Sequence, residues 1–169
     1  MRKANELPIK RLHEVFLVSF DTGIVTWKSA PARCVKVGSI VGVKRQTGHL
    51  WVQIDGKAIA LHRIIWAMHY NVWPNGMIDH INQNPKDNRI CNLRIASKSQ
   101  NAANISKAPI TNKTGYKNVS FNKKTNKYVS YITSDSKRHH LGLFETPELA
   151  YNAYILASVK YNGEYSPFN

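Results

Sequence analysis

The chain has 169 residues, 43% of them hydrophobic, and carries 24 Lys and Arg against 10 Asp and Glu for a formal charge of +14. That apolar content supports folded cores and excludes a disordered basic tail, while no apolar run approaches the ~20 residues that span a bilayer. The charged start Met1-Arg2-Lys3-Ala4-Asn5-Glu6 has no apolar stretch of the secretory kind, and the cysteines, Cys34 and Cys91, form no C-x-x-C pair.

These features lead us to expect a soluble intracellular protein without a membrane segment or a disulfide framework, its thiols buried or simply reduced. A four-ligand structural zinc site is not expected, so a metal here should be hard and oxygen-bound. Residues 1–60, 61–106 and 107–169 are each net basic, which suggests a long contact track on a polyanion rather than one appended tail.

In chain order, residues 13–61 read as strands and turns. Val15-Phe16-Leu17-Val18, Ile24-Val25-Thr26-Trp27 and Leu50-Trp51-Val52-Gln53-Ile54 are rich in β-branched and aromatic residues, and Asp21-Thr22-Gly23, Thr47-Gly48 and Asp55-Gly56 punctuate them. This region, taken as 1–60, should form a small antiparallel sheet presenting Lys44 and Arg45 to DNA. Residues 61–70 have helical spacing, with Leu61, Ile64, Ile65 and Met68 on one face. Met77 to Ile81 suits a short strand, Asn82 to Asn92 a polar loop, and Leu93 to Ala96 a second strand. Ser97-Lys98-Ser99-Gln100 is a capping box that should start a helix near Lys98. Residues 61–106 thus form a strand–loop–strand–helix core preceded by a helix, and 107–114 have linker composition. Three strands near 116–121, 127–133 and 138–144 follow. A helix then begins at Thr146-Pro147-Glu148, with Leu149, Ala150, Ala153, Tyr154 and Ala157 on its inner stripe and Gly163 at its end. The fold class is α+β.

The chemistry concentrates at Asp79-His80, with Asn92 and Asn101 standing 12 and 21 residues after the histidine. A carboxylate and an amide oxygen can hold a hard cation while an imidazole takes a proton from water, and on so basic a chain the expected substrate is a phosphodiester. Neighbours on a strand point to opposite faces. Asp79 and His80 can still converge on one site if the helix from Lys98 packs across the hairpin and Asn101 reaches back towards Asp79. Asn92 would brace the loop or orient the imidazole. Asn84, Asn88 and Asn104 read as turn and cap residues. His13, His49 and His69 show no partner pattern and default to structural roles.

The text Ile78-Asp79-His80-Ile81-Asn82, Asn84-Pro85, Asp87-Asn88-Arg89, Asn92-Leu93-Arg94 and Ser99-Gln100-Asn101 resembles the HNH nucleases with a ββα-metal fold, in particular those of phages and homing endonucleases. The resemblance implies Asp79 and Asn101 as ligands of Mg²⁺ (Mn²⁺ substituting), His80 as general base and Asn92 as its support. Where the family commonly has Asp-Gly, this chain has Asn82-Gln83. His62 matches a position often held by His before the motif, and is read as a packing or phosphate-side residue.

Residues 115–169 resemble an AP2-type DNA-binding domain, a three-stranded sheet backed by one helix. The match rests on Gly115-Tyr116-Lys117-Asn118-Val119, Lys127-Tyr128-Val129-Ser130-Tyr131-Ile132, Leu141-Gly142-Leu143-Phe144-Glu145-Thr146 and the start of the last helix. Strand alternation turns Tyr128, Ser130, Ile132, Leu141 and Leu143 toward the helix. It leaves Lys117, Ser120, Asn122, Lys127, Tyr131, Thr133, Arg138 and His140 on an outer face that could enter a major groove. The expected function is a site-specific, Mg²⁺-dependent endonuclease nicking double-stranded DNA as a monomer. It would be a homing or free-standing phage-type enzyme acting in a host cytoplasm. The competing reading is a non-catalytic DNA-binding regulator that uses the AP2-like module.

Overall fold

The computed structural model describes residues 6–134 and 136–169, so the charged start at residues 1–5 lies outside the described residues. The chain divides into two compact units, Met1–Ala96 and Ser97–Asn169.

The first unit begins with a helix, α1 (Ile9–Val15), where strands and turns were expected from residue 13. Pro8, with φ fixed at −54°, occupies its N-cap, and Leu12 and Val15 are fully buried. A burial stripe of this kind over seven residues is too short to separate helix from strand by pattern alone. The strand expected at Val15 therefore starts one residue later, as β1 (Phe16–Ser19), paired antiparallel with β2 (Ile24–Trp27) from Phe16↔Trp27 to Ser19↔Ile24. Next come β3 (Val43–Lys44), β4 (Leu50–Ile54) and β5 (Lys57–Ala60), hydrogen-bonded in that order, with Asp55-Gly56 making the β4–β5 turn.

Helix α2 (Leu61–Tyr70) follows and ends at Asn71 in the left-handed conformation (φ 54°). Its apolar face, Leu61, Ile64, Ile65 and Met68, lies in one core with Leu12, Val15, Phe16, Val25, Val52, Ile54 and Ile59. Ile78 and Leu93 from the last hairpin, β6 (Met77–His80) and β7 (Leu93–Ala96), join the same core. The hairpin that carries Asp79 and His80 is thus anchored on α2.

The second unit opens with α3 (Lys98–Asn104), which has the expected capping box: Gln100 N donates to Ser97 Oγ at 3.2 Å and Ser97 N to Gln100 Oε1 at 2.7 Å. Strands β8 (Val119–Asn122), β9 (Lys127–Ser134) and β10 (Lys137–Phe144) form an antiparallel sheet in the order β10-β9-β8. Helix α4 (Pro147–Asn162) is capped by Thr146, whose hydroxyl accepts from Leu149 N.

Two face expectations fail here. A bulge between His140 and Gly142 shifts the register, so Leu143 pairs with Val129 and points outward, 44% exposed. Leu149 is 51% exposed, because the buried stripe of α4 runs through Ala150, Tyr154, Ala157 and Ser158. Cys34 and Cys91 are free and exposed, not buried. Among the described residues, no helix is long and apolar enough to cross a membrane.

Candidate active site and nucleic-acid surface

The loop from Ile81 to Asn92 is closed by its own side chains. Asn92, 6% exposed, accepts from Asn82 N through Oδ1 (3.0 Å) and donates through Nδ2 to Asn82 Oδ1 (3.0 Å) and Asp87 O (2.8 Å). Asn82 and Asn84 each accept a backbone N–H two residues on, the local bonding that favours Asn in turns. Arg89 grips Asp87 with Nε at 2.8 Å and Nη2 at 2.7 Å, and this pairing holds the Asp87 carboxyl down to about 2.

The loop also rests on the β1–β2 hairpin. Ile90 N donates to Phe20 O at 3.0 Å, and a Cβ on Gly23 (φ +68°) would stand 2.4 Å from the Asn88 carbonyl carbon, so only glycine fits that turn.

This frame delivers Asn88, 1% exposed, to the end of β6, where its Oδ1 lies 3.0 Å from His80 Nε2. With the Asn88 amide in this orientation its Oδ1 accepts, which puts the proton on Nε2 and the lone pair on Nδ1. The residue at the imidazole is therefore Asn88, which the sequence reads as a turn residue, while Asn92 ties the loop backbone.

Asp79 and His80 take opposite sides of β6. Asp79 pairs in register with Arg94, whose Nε (2.9 Å) and Nη2 (2.8 Å) both reach Oδ2, and the two side chains are 6% and 13% exposed. His80 instead meets two histidines from elsewhere in the chain. Its ring centroid lies 5.3 Å from that of His62, near the start of α2, and 5.4 Å from that of His49, and the last two are 5.2 Å apart. One nitrogen from each ring lies within 4.8 Å of the others, so the three could hold a divalent metal.

His49 is brought in by the turn at Gly48 (φ +85°), where a Cβ would meet Pro85 Cγ at 2.9 Å, and its Nδ1 is 3.1 Å from the Thr47 hydroxyl. His62 is 9% exposed, and its Nδ1 has no hydrogen-bond partner among the described residues. Burial, reinforced by the neighbouring His80, His49 and Arg63 charges, pushes His62 down to about 3, and burial also lowers His49. The sequence carried no sign of this trio, because a turn, a helix and a strand supply one histidine each with no local spacing between them.

In the second unit, Asn101 sits on α3. Lys117 stands at the C-terminal end of the same helix, donating to the carbonyls of Ala102 (2.9 Å), Ala103 (3.3 Å) and Ile105, and its burial lowers the ammonium to about 8. On the sheet, Thr133 and Tyr131 pair with Arg138 and His140 across β9 and β10. The Arg138 guanidinium lies 3.8 Å over the Tyr131 ring, whose edge contacts His140 at 5.2 Å between centroids. Ser120, Tyr131, Thr133 and Arg138 line one open cavity of about 310 Å³. Lys127 is paired with Glu145 (2.7 Å), and Asn122 Oδ1 accepts from Lys124 N within the β8–β9 turn. In the first unit Lys44 and Arg45 are exposed, with Arg45 4.6 Å over the Trp51 ring.

A small β-hairpin whose first strand ends in a histidine held by a buried amide is an arrangement suited to a nuclease-type centre. Comparison with known proteins agrees. The family model described as HNH endonuclease matches residues 60–103. Protein 3.8 of Escherichia phage T7 is 33% identical over 85 residues, half of this chain and 69% of that protein. An uncharacterised HNH endonuclease of Acanthamoeba polyphaga mimivirus is 28% identical over 120 residues, 70% of this chain and 61% of that protein. No solved structure matches the chain. The chain belongs to the HNH endonuclease family.

Proposed function

We propose that the chain is a divalent-metal-dependent DNA endonuclease in which His80 is the general base. The observation that carries this reading is the His80 imidazole, 5% exposed, with Nε2 fixed on Asn88 Oδ1 at 3.0 Å. A ring held in that tautomer takes a proton through Nδ1. Water gives its proton to Nδ1 while its oxygen attacks phosphorus in line, and the bond from phosphorus to the 3′-oxygen breaks. The 3′-oxygen is protonated from solvent, leaving 3′-hydroxyl and 5′-phosphate ends, and His80 returns its proton to solvent.

The donor chemistry on β6 suits a hard cation through the Asp79 carboxylate, whose Oδ2 is engaged by Arg94. Asp79 and Asn101 as candidate ligands, and Mg²⁺ as the ion with Mn²⁺ in substitution, rest on the motif resemblance. When bound, such an ion stabilises the charge that develops on the phosphate oxygens and the departing 3′-oxygen. Asn92 supports the base by keeping the loop that carries Asn88 closed.

Double-stranded DNA as substrate is supported by the +14 charge and by the outward set Ser120, Asn122, Lys127, Tyr131, Thr133, Arg138 and His140, with Lys44 and Arg45 in the first unit. Lys117 was expected in this set, but its ammonium lies against the α3 carbonyls. The AP2-type assignment of residues 115–169 rests on the quoted resemblance together with a three-stranded sheet and one helix. One centre per chain makes a nick by a monomer the product. A phage-type enzyme in a host cytoplasm, homing or free-standing, is supported by the phage relative.

The test is relaxation of supercoiled DNA by purified protein with Mg²⁺ or Mn²⁺. Wild type relaxes the circle, and His80→Ala and Asp79→Ala do not. Equal cutting by either variant sinks the assignment.

A further inference from the structure

We infer that His49, His62 and His80 form a site for a borderline transition ion of the Zn²⁺ class, distinct from the hard-cation position at Asp79, and that filling it switches the nuclease off. Three nitrogens, one from each ring, already lie within 4.8 Å of one another. Three imidazoles on a tetrahedral ion, with Zn–N near ~2.1 Å, place their nitrogens roughly 3.4 Å apart, so small side-chain rotations close the site. The donor set is nitrogen only, with no carboxylate among the three. It therefore selects Zn²⁺, Co²⁺, Ni²⁺ or Cu²⁺ over Mg²⁺ or Ca²⁺.

The surroundings are those of a ligand site. Metal-bound histidines typically hand their second nitrogen to an oxygen partner, and two of the three have one in place: His80 Nε2 on Asn88 Oδ1 (3.0 Å) and His49 Nδ1 on the Thr47 hydroxyl (3.1 Å). Coordination through His80 Nδ1 and His49 Nε2 preserves both bonds. His62 is 9% exposed with its Nδ1 unpartnered among the described residues, a buried polar atom that a purely structural histidine would be expected to satisfy. All three residues belong to the first compact unit, on a turn, a helix and a strand that share one core or its margin. The fourth position is left to water.

Coordination by Nδ1 uses the lone pair that the base needs, so the ion and proton abstraction exclude each other at His80. This inhibitory part rests on His80 acting as the base, whereas the binding part does not.

The experiment uses the full chain, stripped with chelator, in three measurements: calorimetric titration with Zn²⁺, visible absorption after adding Co²⁺, and nicking in excess Mg²⁺ with or without one equivalent of Zn²⁺. Wild type is expected to take up one Zn²⁺ per chain, to give the intense bands of tetrahedral Co²⁺, and to lose nicking when Zn²⁺ is added. His49→Ala and the bulkier His49→Gln are expected to bind Zn²⁺ at least about 10–100-fold more weakly, the scale already seen for losing an outer-shell partner. Both should keep Mg²⁺-supported nicking that Zn²⁺ no longer stops. His13→Ala, on α1, should behave as wild type.

No uptake by wild type, or uptake unchanged in both His49 variants, overturns the site. Uptake lost with His49 but nicking equally sensitive to Zn²⁺ in wild type and variant overturns the switch. Absence of nicking under all conditions, with Zn²⁺ uptake still dependent on His49, contradicts the endonuclease reading and leaves the binding site standing.

Discussion

An imidazole can serve as a base only through the nitrogen that carries no proton, and at His80 that choice falls to Asn88 Oδ1, 3.0 Å from Nε2. Replacing Asn88 by Ala leaves the ring free to turn or to move its proton to Nδ1. The expected result is a fall in kcat of about 10–100-fold with KM little changed, and Asn88→Asp, which restores an acceptor, should recover part of it. Steady-state nicking rates check this, and an unchanged kcat in Asn88→Ala would remove Asn88 from the account. Asp87 sets a pH limit on the same loop. Its folded value, about 2, lies below the ordinary carboxylate value of about 3.9, so its contribution to stability is complete above pH ~4 and is lost as pH falls toward ~2. Urea unfolding across that window should show wild type losing stability faster than Asp87→Asn.

Among the elements, α2 has most to do with where the site lies, because it buries Ile64 and Ile65 completely, belongs to one core with Ile78 and Leu93 of the site hairpin, and carries His62 near its start. Ile64→Ala should cost about 2–5 kcal/mol in a chemical-unfolding experiment, the range for large-to-small changes in a core that cannot collapse. A cost below about 1 kcal/mol would mean that this core is not packed as described. The same element shows what a sequence can disclose. Leu61, Ile64, Ile65 and Met68 repeat at helical spacing, so α2 was legible to its ends, as was the capping box of α3. Helix α1 was not, because its seven residues hold too few turns to display a period. Nor was the outward turn of Leu143. Alternation predicts an inward side chain there, and the bulge beside Gly142 (φ +137°) reverses it; the isolated glycine within the strand is the local signal that alternation alone passes over.

Across the whole molecule, the parts of the site that were legible are those written in one stretch of chain: Asp79, His80 and the Asn-rich loop. His49 and His62 meet His80 only through the folding of the first unit, so no spacing announces them, and the role of Asn88 was hidden by how often Asn serves in turns. The positive charge is the other whole-chain property. Lys44→Ala and Arg138→Ala should each reduce the slope of log affinity against log salt by about 1 if their side chains neutralise phosphates. DNA binding measured across a salt series checks this, and an unchanged slope places those residues off the DNA. Whether His80 is the base is decided by single-turnover nicking of supercoiled DNA in Mg²⁺, comparing wild type with His80→Ala. Wild type is expected to give relaxed circles with 3′-hydroxyl and 5′-phosphate ends, and the variant none above background. Equal cutting by the two proteins would contradict that role.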